Sequence, residues 1–270
     1  MNSVLAPSAR TWMHRANPVC KLVYVVLLFF VGLFTHRIDF MFYQAALFTL
    51  LLFWLSGYAL WKVLLIVLSF GLLFVSSSST MILFGKGDTT WWEWGLISIS
   101  EESFYRGLHI GFKSVAFAAE GLLFVMTTSS VALFYALMQK AKLPPKFAYS
   151  FMASIRLLPM VWEEYQIRRN ALSIRGMRRL KGPFGWLSAI RLYAVPLLSQ
   201  SIRRAHRIAV AMEAKAFDLK GRRTYYYPSV FSRFDVLIAL IIIAAVALAA
   251  VLSSRFPLFD ISDIRYLANS

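Results

Sequence analysis

The sequence predicts an all-α polytopic membrane protein with about five transmembrane helices and a cytoplasmic helical domain inserted between the fourth and the fifth. Three observations support this fold class. Of 270 residues, 59% are apolar and only 16% are charged, which is too hydrophobic for a water-soluble domain. Five stretches approach the roughly 20 apolar residues that cross a bilayer. The basic excess, +16 in all, is concentrated between two of these stretches.

The first three predicted spans lie in the N-terminal third of the chain. Residues 19–35 form the first, interrupted only by Lys21, whose aliphatic stem lets its ammonium group reach the interface. The segment 40–84 would be about 67 Å long as a single helix, so it must fold into two spans. We place the break between them at Ser56-Gly57, with Lys62 on the aqueous side.

The last two predicted spans differ in length. The fourth hydrophobic region, residues 106–138, is longer than a bilayer requires, so we expect its beginning to project beyond the hydrocarbon core or to tilt strongly. The fifth span, residues 236–252, is an uninterrupted apolar run and is the clearest of the five.

Glu120 is the one carboxylate that lies deep within a predicted span. It follows Lys113 by seven residues, which places both side chains on nearly the same helix face. A proton or ion site, a structural ion pair and a contact with another subunit are all open interpretations. The neighbouring Ala116 and Ala119 are small enough for another helix to approach closely, which favours packing.

The distribution of basic residues predicts the orientation. Residues 139–233 contain 19 Lys and Arg but only 4 Asp and Glu, so this block carries +15 and is cytoplasmic. The same rule places the N-terminus inside, and it places the 86–102 loop and the tail with Asp260 and Asp263 outside. The predicted domains are a membrane domain, a coupling domain, and a last span with its tail. Their respective boundaries are residues 1–138, 139–233 and 234–270.

The basic block is too long for a simple connection and is neither repetitive nor of low complexity, so we expect a folded helical unit. Pro144-Pro145 precedes a helical stretch that runs to Gly176 and that we expect Pro159 to bend. A second helical stretch begins after Gly182-Pro183. Beyond Pro196, its apolar or small residues recur every three or four positions, which predicts an amphipathic helix with arginines on its other side. The recurring residues are Leu198, Ile202, Ala205, Ala209, Met212 and Ala216.

Both helical stretches end in a cation among small or apolar residues. These ends are Ile174, Arg175 and Gly176 in the first stretch and Ala214, Lys215 and Ala216 in the second. A cation near a helix C-terminus is favourable with the helix dipole, and it can also reach a carboxylate or carbonyls of a partner protein. Taken alone, the pattern favours ordinary C-terminal capping over a partner contact.

Together with three other segments, these ends resemble the transmembrane T component of energy-coupling factor (ECF) transporters, the ABC-type importers of vitamins and transition-metal ions. Residues 14–22 (HRANPVCKL) resemble the start of its first span. Residues 143–144 (LP) and 156–159 (RLLP), with Glu163 and Glu164, resemble the segment that leads into the first coupling helix of this family.

Two short Arg-centred motifs define the rest of the resemblance. Residues 174–176 (IRG) match the first. Residues 211–217 (AMEAKAF) match the second, except that Lys215 and Ala216 stand where Arg and Gly are usual. Because lysine is a point charge on a flexible stem, whereas arginine is a planar fork, we expect a weaker or differently shaped second contact.

The resemblance implies a non-catalytic scaffold that joins two cytoplasmic ABC ATPases, or one fused ATPase, to a small membrane-embedded substrate-capture (S) component. Each Arg-centred motif would contact one ATPase. The structural residues of the coupling domain would be Arg156, Pro159, Glu163, Glu164 and Glu213. Of these, Arg156, Glu163 and Glu164 would link the domain to the membrane helices through an internal salt bridge, or simply form a solvated face. The S component would pack against Ala116, Ala119 and Glu120. The cargo would be a vitamin or a metal ion. The sequence of this chain does not indicate which, because the S component selects the cargo.

The resemblance further implies a multi-pass protein of the bacterial cell membrane, with the lipid bilayer as a partner but with no cofactor, bound metal or nucleic acid. An integral membrane enzyme acting on a lipid phosphate remains the alternative, since it would also use a basic cytoplasmic surface. Against it, the sequence contains no Gly-x-Ser-x-Gly and no His-Glu-x-x-His motif. The four histidines have no common metal-site spacing, and the single Cys20 excludes an internal disulfide.

Overall fold

The computed structural model describes residues 11–85, 89–94, 97–176, 185–217, 225–226 and 228–259, without the side chains of residues 90, 93–94, 97–98 and 185–189. Asp260 and Asp263 lie outside the described residues. The chain divides into two compact units. The first unit comprises Met1–Leu133 with Ser229–Ser270, and the second unit is Phe134–Pro228.

The first unit is a helical bundle. Its helices are α1 (Pro18–Phe34), α2 (Ile38–Leu55), α3 (Leu60–Phe84), α4 (Glu101–Thr127) and α8 (Arg233–Arg255), and a short 3-10 helix, Trp12–Arg15, precedes α1. Helix α4 packs against α1, α2 and α3, while α8 packs against α1 and α2. Helices α2, α3, α4 and α8 are long and apolar enough to cross a membrane, and α1 is a shorter apolar helix. The prediction of an all-α polytopic membrane protein is confirmed.

The outer surface of this bundle is apolar. On α3, Leu68, Leu72 and Val75 are largely exposed, although the helix belongs to a compact unit. The bundle interior is formed by side chains such as Phe48 and Leu52 of α2, which are almost completely buried. Leucine and valine side chains exposed over several turns are stable in a hydrocarbon environment, as expected for helices surrounded by lipid.

The predicted break between the second and third spans is confirmed. Helix α2 ends at Leu55, Ser56 is its C-cap, and Gly57 has φ +69°. This left-handed conformation is accessible to glycine without the steric cost that a Cβ atom brings. Lys62 lies in the first turn of α3.

The region 106–138 is not the single helix that its sequence had suggested. Helix α4 ends at Thr127, and a new helix, α5 (Ser130–Lys140), begins three residues later. The side chain of Ser129 accepts a hydrogen bond from the Ala132 N–H at 3.4 Å. Serine and threonine side chains compete with helical backbone hydrogen bonds and favour helix starts, which accounts for the interruption.

A small β-hairpin lies in the segment that the sequence predicted to be an outer loop. Its strands, β1 (Thr90–Trp94) and β2 (Ile97–Ser100), are antiparallel. Glu102, at the start of α4, fastens the hairpin because it accepts hydrogen bonds from the Thr89 N–H at 3.3 Å and the Thr89 hydroxyl at 2.9 Å. The hairpin is an addition to the predicted helical fold.

The second unit contains most of α5 and two long helices, α6 (Pro145–Ile174) and α7 (Gly185–Ala214), which pack against each other. Met138, Ala148 and Met152 form its buried core. Pro159 lies inside α6 and Pro196 inside α7. Helix α7 begins at Gly185, so the amphipathic pattern beyond Pro196 is the second part of a longer helix. Pro196 removes one backbone hydrogen bond but does not end this helix.

Candidate functional site

The first of the two Arg-centred motifs lies at the C-terminal end of α6. Ile174 is the last helical residue, and its side chain is 85% exposed. Arg175 is the C-cap residue, and its N–H donates to the Ala171 carbonyl at 3.2 Å. Gly176 follows with φ +78° and donates to the Ser173 carbonyl at 3.2 Å. The motif is a capped helix end that exposes an apolar residue and a cation.

The second motif ends α7 in the same way. Ala214 is the last helical residue, Lys215 follows it, and Ala216 has φ +50°. The Ala216 N–H donates to the Glu213 carbonyl at 2.9 Å, and the next N–H, that of Phe217, reaches back to the Met212 carbonyl at 3.0 Å. These two bonds form the Schellman pattern, in which a left-handed residue closes a helix. Lys215 thus takes the C-cap position that Arg175 takes on α6.

Ala216 has a left-handed backbone although it carries a Cβ atom. This conformation brings the Cβ atom of an L-residue close to the following carbonyl, at a cost of about 1 kcal/mol relative to glycine. The backbone cap is therefore kept in the second motif despite the absence of glycine. The difference between the motifs lies in the cationic side chain and in this local strain.

Both motif cations are available for an external contact. Arg175 and Lys215 are exposed, and neither forms a salt bridge within the described part of the chain. Each stands at the end of a 30-residue helix, where the last carbonyls carry a partial negative charge that favours a cation. Either side chain can donate to a carboxylate or to carbonyls of another protein without first breaking an internal ion pair.

A cleft of about 370 Å³ opens beside Arg175, between α6 and α7. Its lining combines charged and amide side chains with aliphatic ones. The residues are Glu164, Ile167, Arg168, Ala171, Leu172, Arg175, Leu197 and Gln200. The first motif therefore borders a recess that offers both cationic and apolar contacts.

Glu164 forms an ion pair with Arg204, which joins α6 to α7 within the second unit and does not link this unit to the membrane helices. Arg156 and Glu163 are exposed, and Arg156 forms no salt bridge among the described residues, so these two lie on a solvated face. Pro159 and Glu213 are also exposed, although the Glu213 carbonyl participates in the second cap.

The apolar side of α7 is an exposed stripe. Successive members are spaced by alternating three and four residues, which places them along one line of the helix. The stripe consists of Val195, Leu198, Ile202, Ala205 and Ala209, all of which are exposed. At its C-terminal end, Ala205 and Ala209 have the small-xxx-small spacing that allows another helix to approach closely. The second unit thus presents a continuous apolar line outside its own core.

The prediction that Ala116, Ala119 and Glu120 face a partner subunit is not supported by their positions. All three are buried inside the first unit, and Ala119 belongs to its core. Glu120 accepts a hydrogen bond from the Gln44 side chain at 2.6 Å. Small residues allow close helix packing here too, but the packing is between helices of this chain.

Lys113 does not pair with Glu120 across the expected seven-residue interval. Its ammonium group donates to the Leu33 carbonyl of α1 at 3.3 Å. Glu120 is satisfied from the neighbouring helix α2 by Gln44, a residue that the sequence pattern had not singled out. A structural ion pair was one of the open interpretations, because periodicity reveals only residues of the same helix, whereas the hydrogen-bond partner in the structure comes from another helix.

Two further contacts were missed by the sequence reasoning. Arg204, which pairs with Glu164, was recognisable only as one of several arginines on the polar side of α7. Phe217 packs its ring against Tyr149 of α6, with centroids 5.3 Å apart, and so fastens the chain directly after the second cap. Among the residues that the structure describes, no three His, Cys, Asp or Glu side chains group as metal ligands.

The fold and the two motifs define a class of protein: an integral membrane subunit whose basic helical unit exposes two capped, cation-bearing helix ends. Residues 9–226 match the family described as CbiQ, cobalt transport protein. The chain belongs to this family.

Individual relatives carry a more specific name, "energy-coupling factor transporter transmembrane protein EcfT". The chain is 27% identical over 262 residues to the one from Limosilactobacillus fermentum, covering 87% of this chain and 91% of the relative. The relative from Lacticaseibacillus paracasei is 25% identical over 228 residues, covering 80% and 84%. The relative from Lactococcus lactis is 27% identical over 250 residues, covering 87% and 92%. The resemblance to the T component of ECF transporters is confirmed.

Proposed function

We propose that this chain is the non-catalytic coupling subunit of an ATP-driven importer. It transmits the movement of two cytoplasmic ABC ATPases, or of one fused ATPase, to a membrane-embedded S component that captures a vitamin or a metal ion. The observation that carries this proposal is the repeated geometry at the ends of α6 and α7. Two helices with the same cap, the same cation position and no ion pair to another described residue are suited to two similar sites on a pair of ATPases.

The contact at each motif would combine charge with an apolar neighbour. Arg175 can hold a carboxylate or several carbonyls with its planar fork, and exposed Ile174 can enter an apolar groove beside it. Lys215 offers a single charged group next to Ala214, so the second contact would be smaller. The long supports required to transmit movement are α6 and α7, each of 30 residues, which the Glu164–Arg204 ion pair joins.

The charge distribution supports a cytoplasmic position for the second unit and for the N-terminus of the chain. Residues 139–233 carry +15 of the total +16, and loops rich in Lys and Arg remain on the cytoplasmic side. In that orientation the unit can meet cytoplasmic ATPases, and the β-hairpin lies on the outer side of the membrane.

The exposed stripe of α7, from Val195 to Ala209, would contact the S component. It replaces the buried residues around Glu120 in this role, because an interface residue must be accessible before the partner binds. Its small residues Ala205 and Ala209 suit a closely approaching apolar helix, as a small membrane protein would supply.

Purification from native membranes in a mild detergent tests the proposal. We expect two nucleotide-binding polypeptides, or one fused polypeptide, and a small hydrophobic protein to accompany the chain. A chain that purifies alone and turns over a lipid phosphate would contradict the proposal. Arg175→Ala should release the ATPases, whereas Arg169→Ala, which removes another exposed arginine of α6, should not.

A further inference from the structure

The segment at residues 14–22 was singled out by the resemblance, and the proposed function leaves its polar residues without a role. Asn17 and Lys21 are 4% and 3% exposed, respectively, although both carry strongly polar groups. The Asn17 side-chain oxygen accepts from the Val19 N–H at 3.0 Å and so caps α1. Buried polar groups require partners, and the remaining groups of Asn17 and Lys21 find theirs on distant parts of the chain.

Asn17 binds the start of α8. Its backbone N–H donates to Asp235 Oδ1 at 2.6 Å, and its side-chain amide donates to the Ser229 hydroxyl at 2.9 Å. Asp235 is itself 4% exposed, and its second oxygen accepts from the Ser232 N–H at 2.7 Å in the capping box of α8. The first turn of α8 is therefore held by the residue that caps α1.

Lys21 binds the end of α4. Its ammonium group donates to the Thr127 carbonyl at 2.9 Å, and Thr127 is the last residue of that helix. A cation at a helix C-terminus interacts favourably with the partial charge of the terminal carbonyls. We call Asn17, Lys21, Thr127, Ser229 and Asp235 the junction cluster.

The members of the junction cluster lie next to both points where the chain passes from one unit to the other. The second unit is Phe134–Pro228. Thr127 precedes it by a few residues, and Ser229 follows it directly. One short segment at the start of α1 thus binds the outgoing and the returning connection of the second unit, and every one of these hydrogen bonds lies within the first unit.

We propose that Asn17, Lys21 and Asp235 are positioning residues that hold the two connections together, so that displacement of the second unit moves α1, α4 and α8 jointly. This inference rests on the proposed coupling function. Without the cluster, the hydrogen bonds that join α1 to the end of α4 and to the start of α8 are lost. The irregular residues at 128–129 and 228–232 would then absorb movement by bending instead of transmitting it.

Asp39 provides a matched control within the same unit. It is 3% exposed and, like Asp235, accepts hydrogen bonds from backbone N–H groups of a distant segment. Its donors are Leu258 at 2.9 Å and Phe259 at 3.1 Å, which follow α8. Asp39 lies at the start of α2, so its bonds involve neither of the two connections. Loss of this carboxylate affects packing in the first unit but not the proposed transmission.

The test compares Asp235→Asn with Asp39→Asn in the purified complex of full-length chain and ATPases, reconstituted in lipid nanodiscs. Hydrogen–deuterium exchange is measured with and without ATP plus vanadate. In the wild type we expect nucleotide to change exchange both at the ends of α6 and α7 and in residues 12–24 and 229–240. In Asp235→Asn the change in the latter residues should be lost while the change at the helix ends persists. Asp39→Asn should retain both changes.

An unaltered nucleotide response of residues 12–24 in Asp235→Asn, or its equal loss in Asp39→Asn, would overturn the proposal. If Asp235→Asn does not accumulate in the membrane, Lys21→Met is used in its place, because this substitution keeps the side-chain volume and removes the charge. The nucleotide-dependent change in exchange of residues 12–24 and 229–240 is then compared between Lys21→Met and Asp39→Asn. Absence of any response at the ends of α6 and α7 in the wild type would instead contradict the proposed function. The two failures are therefore distinguishable.

Discussion

The ends of α6 and α7 share one backbone geometry and differ in the side chains that occupy it. Both place a cation at the C-cap and a left-handed residue after it, but α6 uses arginine and glycine where α7 uses lysine and alanine. The comparison teaches that the position of the cation is set by the cap, whereas the strength of a contact is set by the cation itself. Two similar helix ends can therefore make unequal contacts with two ATPases.

The largest expected difference between the two ends concerns the cations. Arg175→Ala should weaken ATPase binding by about 10- to 100-fold, because a hydrogen bond to a charged group contributes about 1.5–3 kcal/mol. Lys215→Ala should weaken binding less, since lysine makes a single-point contact. Titration of purified ATPases onto proteoliposomes that contain each variant measures both affinities. Equal losses would show that the two contacts are equivalent.

The residue after each cation should have opposite effects on stability at the two ends. Gly176→Ala should destabilise the α6 cap by about 1 kcal/mol, and Ala216→Gly should stabilise the α7 cap by a similar amount. The physical reason is that only glycine adopts a positive φ without steric cost. Chemical denaturation in detergent, followed by helical circular dichroism, measures the difference. A destabilising Ala216→Gly would show that the alanine side chain makes compensating contacts.

The ion pair behind the two ends should have a smaller effect. Glu164 and Arg204 are partly exposed, so Glu164→Gln should lower the free energy of unfolding by only about 0.2–1 kcal/mol. The same denaturation measurement applies, and Glu163→Gln, an exposed carboxylate next in sequence, is the control. A loss of about 2 kcal/mol or more would mean that the pair holds α6 and α7 together more strongly than its exposure suggests.

The smallest expected change comes from exchanging one cation for the other. If the second ATPase site is fitted to a point charge, Lys215→Arg should lower ATPase retention slightly, by up to about threefold, since a longer planar group must be accommodated. Retention is measured on immobilised complex during washing. Increased retention would indicate that the site prefers arginine and that lysine is merely tolerated.

Features governed by local chemistry were predictable from the sequence. Ser56-Gly57 marked the break between α2 and α3 because glycine there takes a left-handed conformation. The start of α6 after Pro144 and its end at Gly176 followed from the same kind of residue preference. The interruption at residues 128–129 was missed because it depends on serine and threonine side chains instead of Gly or Pro, and these residues also occur inside helices.

Features governed by distant contacts were not predictable. Glu120 was assigned to a partner surface because its small neighbours indicate close packing, but the pattern does not say which helix approaches. The partner is Gln44, 76 residues away in the chain. Glu164 and Arg204 are 40 residues apart, and only the packing of α6 on α7 brings them together. The left-handed backbone of Ala216 could not be predicted from the sequence for another reason, because alanine rarely adopts a positive φ.

The central claim is that each of the two helix ends contacts an ATPase. Photo-crosslinking tests it most directly: a photoreactive amino acid replaces Ile174 or Ala214, each adjacent to a motif cation, and the native membranes are irradiated. We predict an adduct between the chain and a nucleotide-binding polypeptide from both positions, with none from the control position Arg169. Adducts with lipid alone, or none at both positions, would contradict the account.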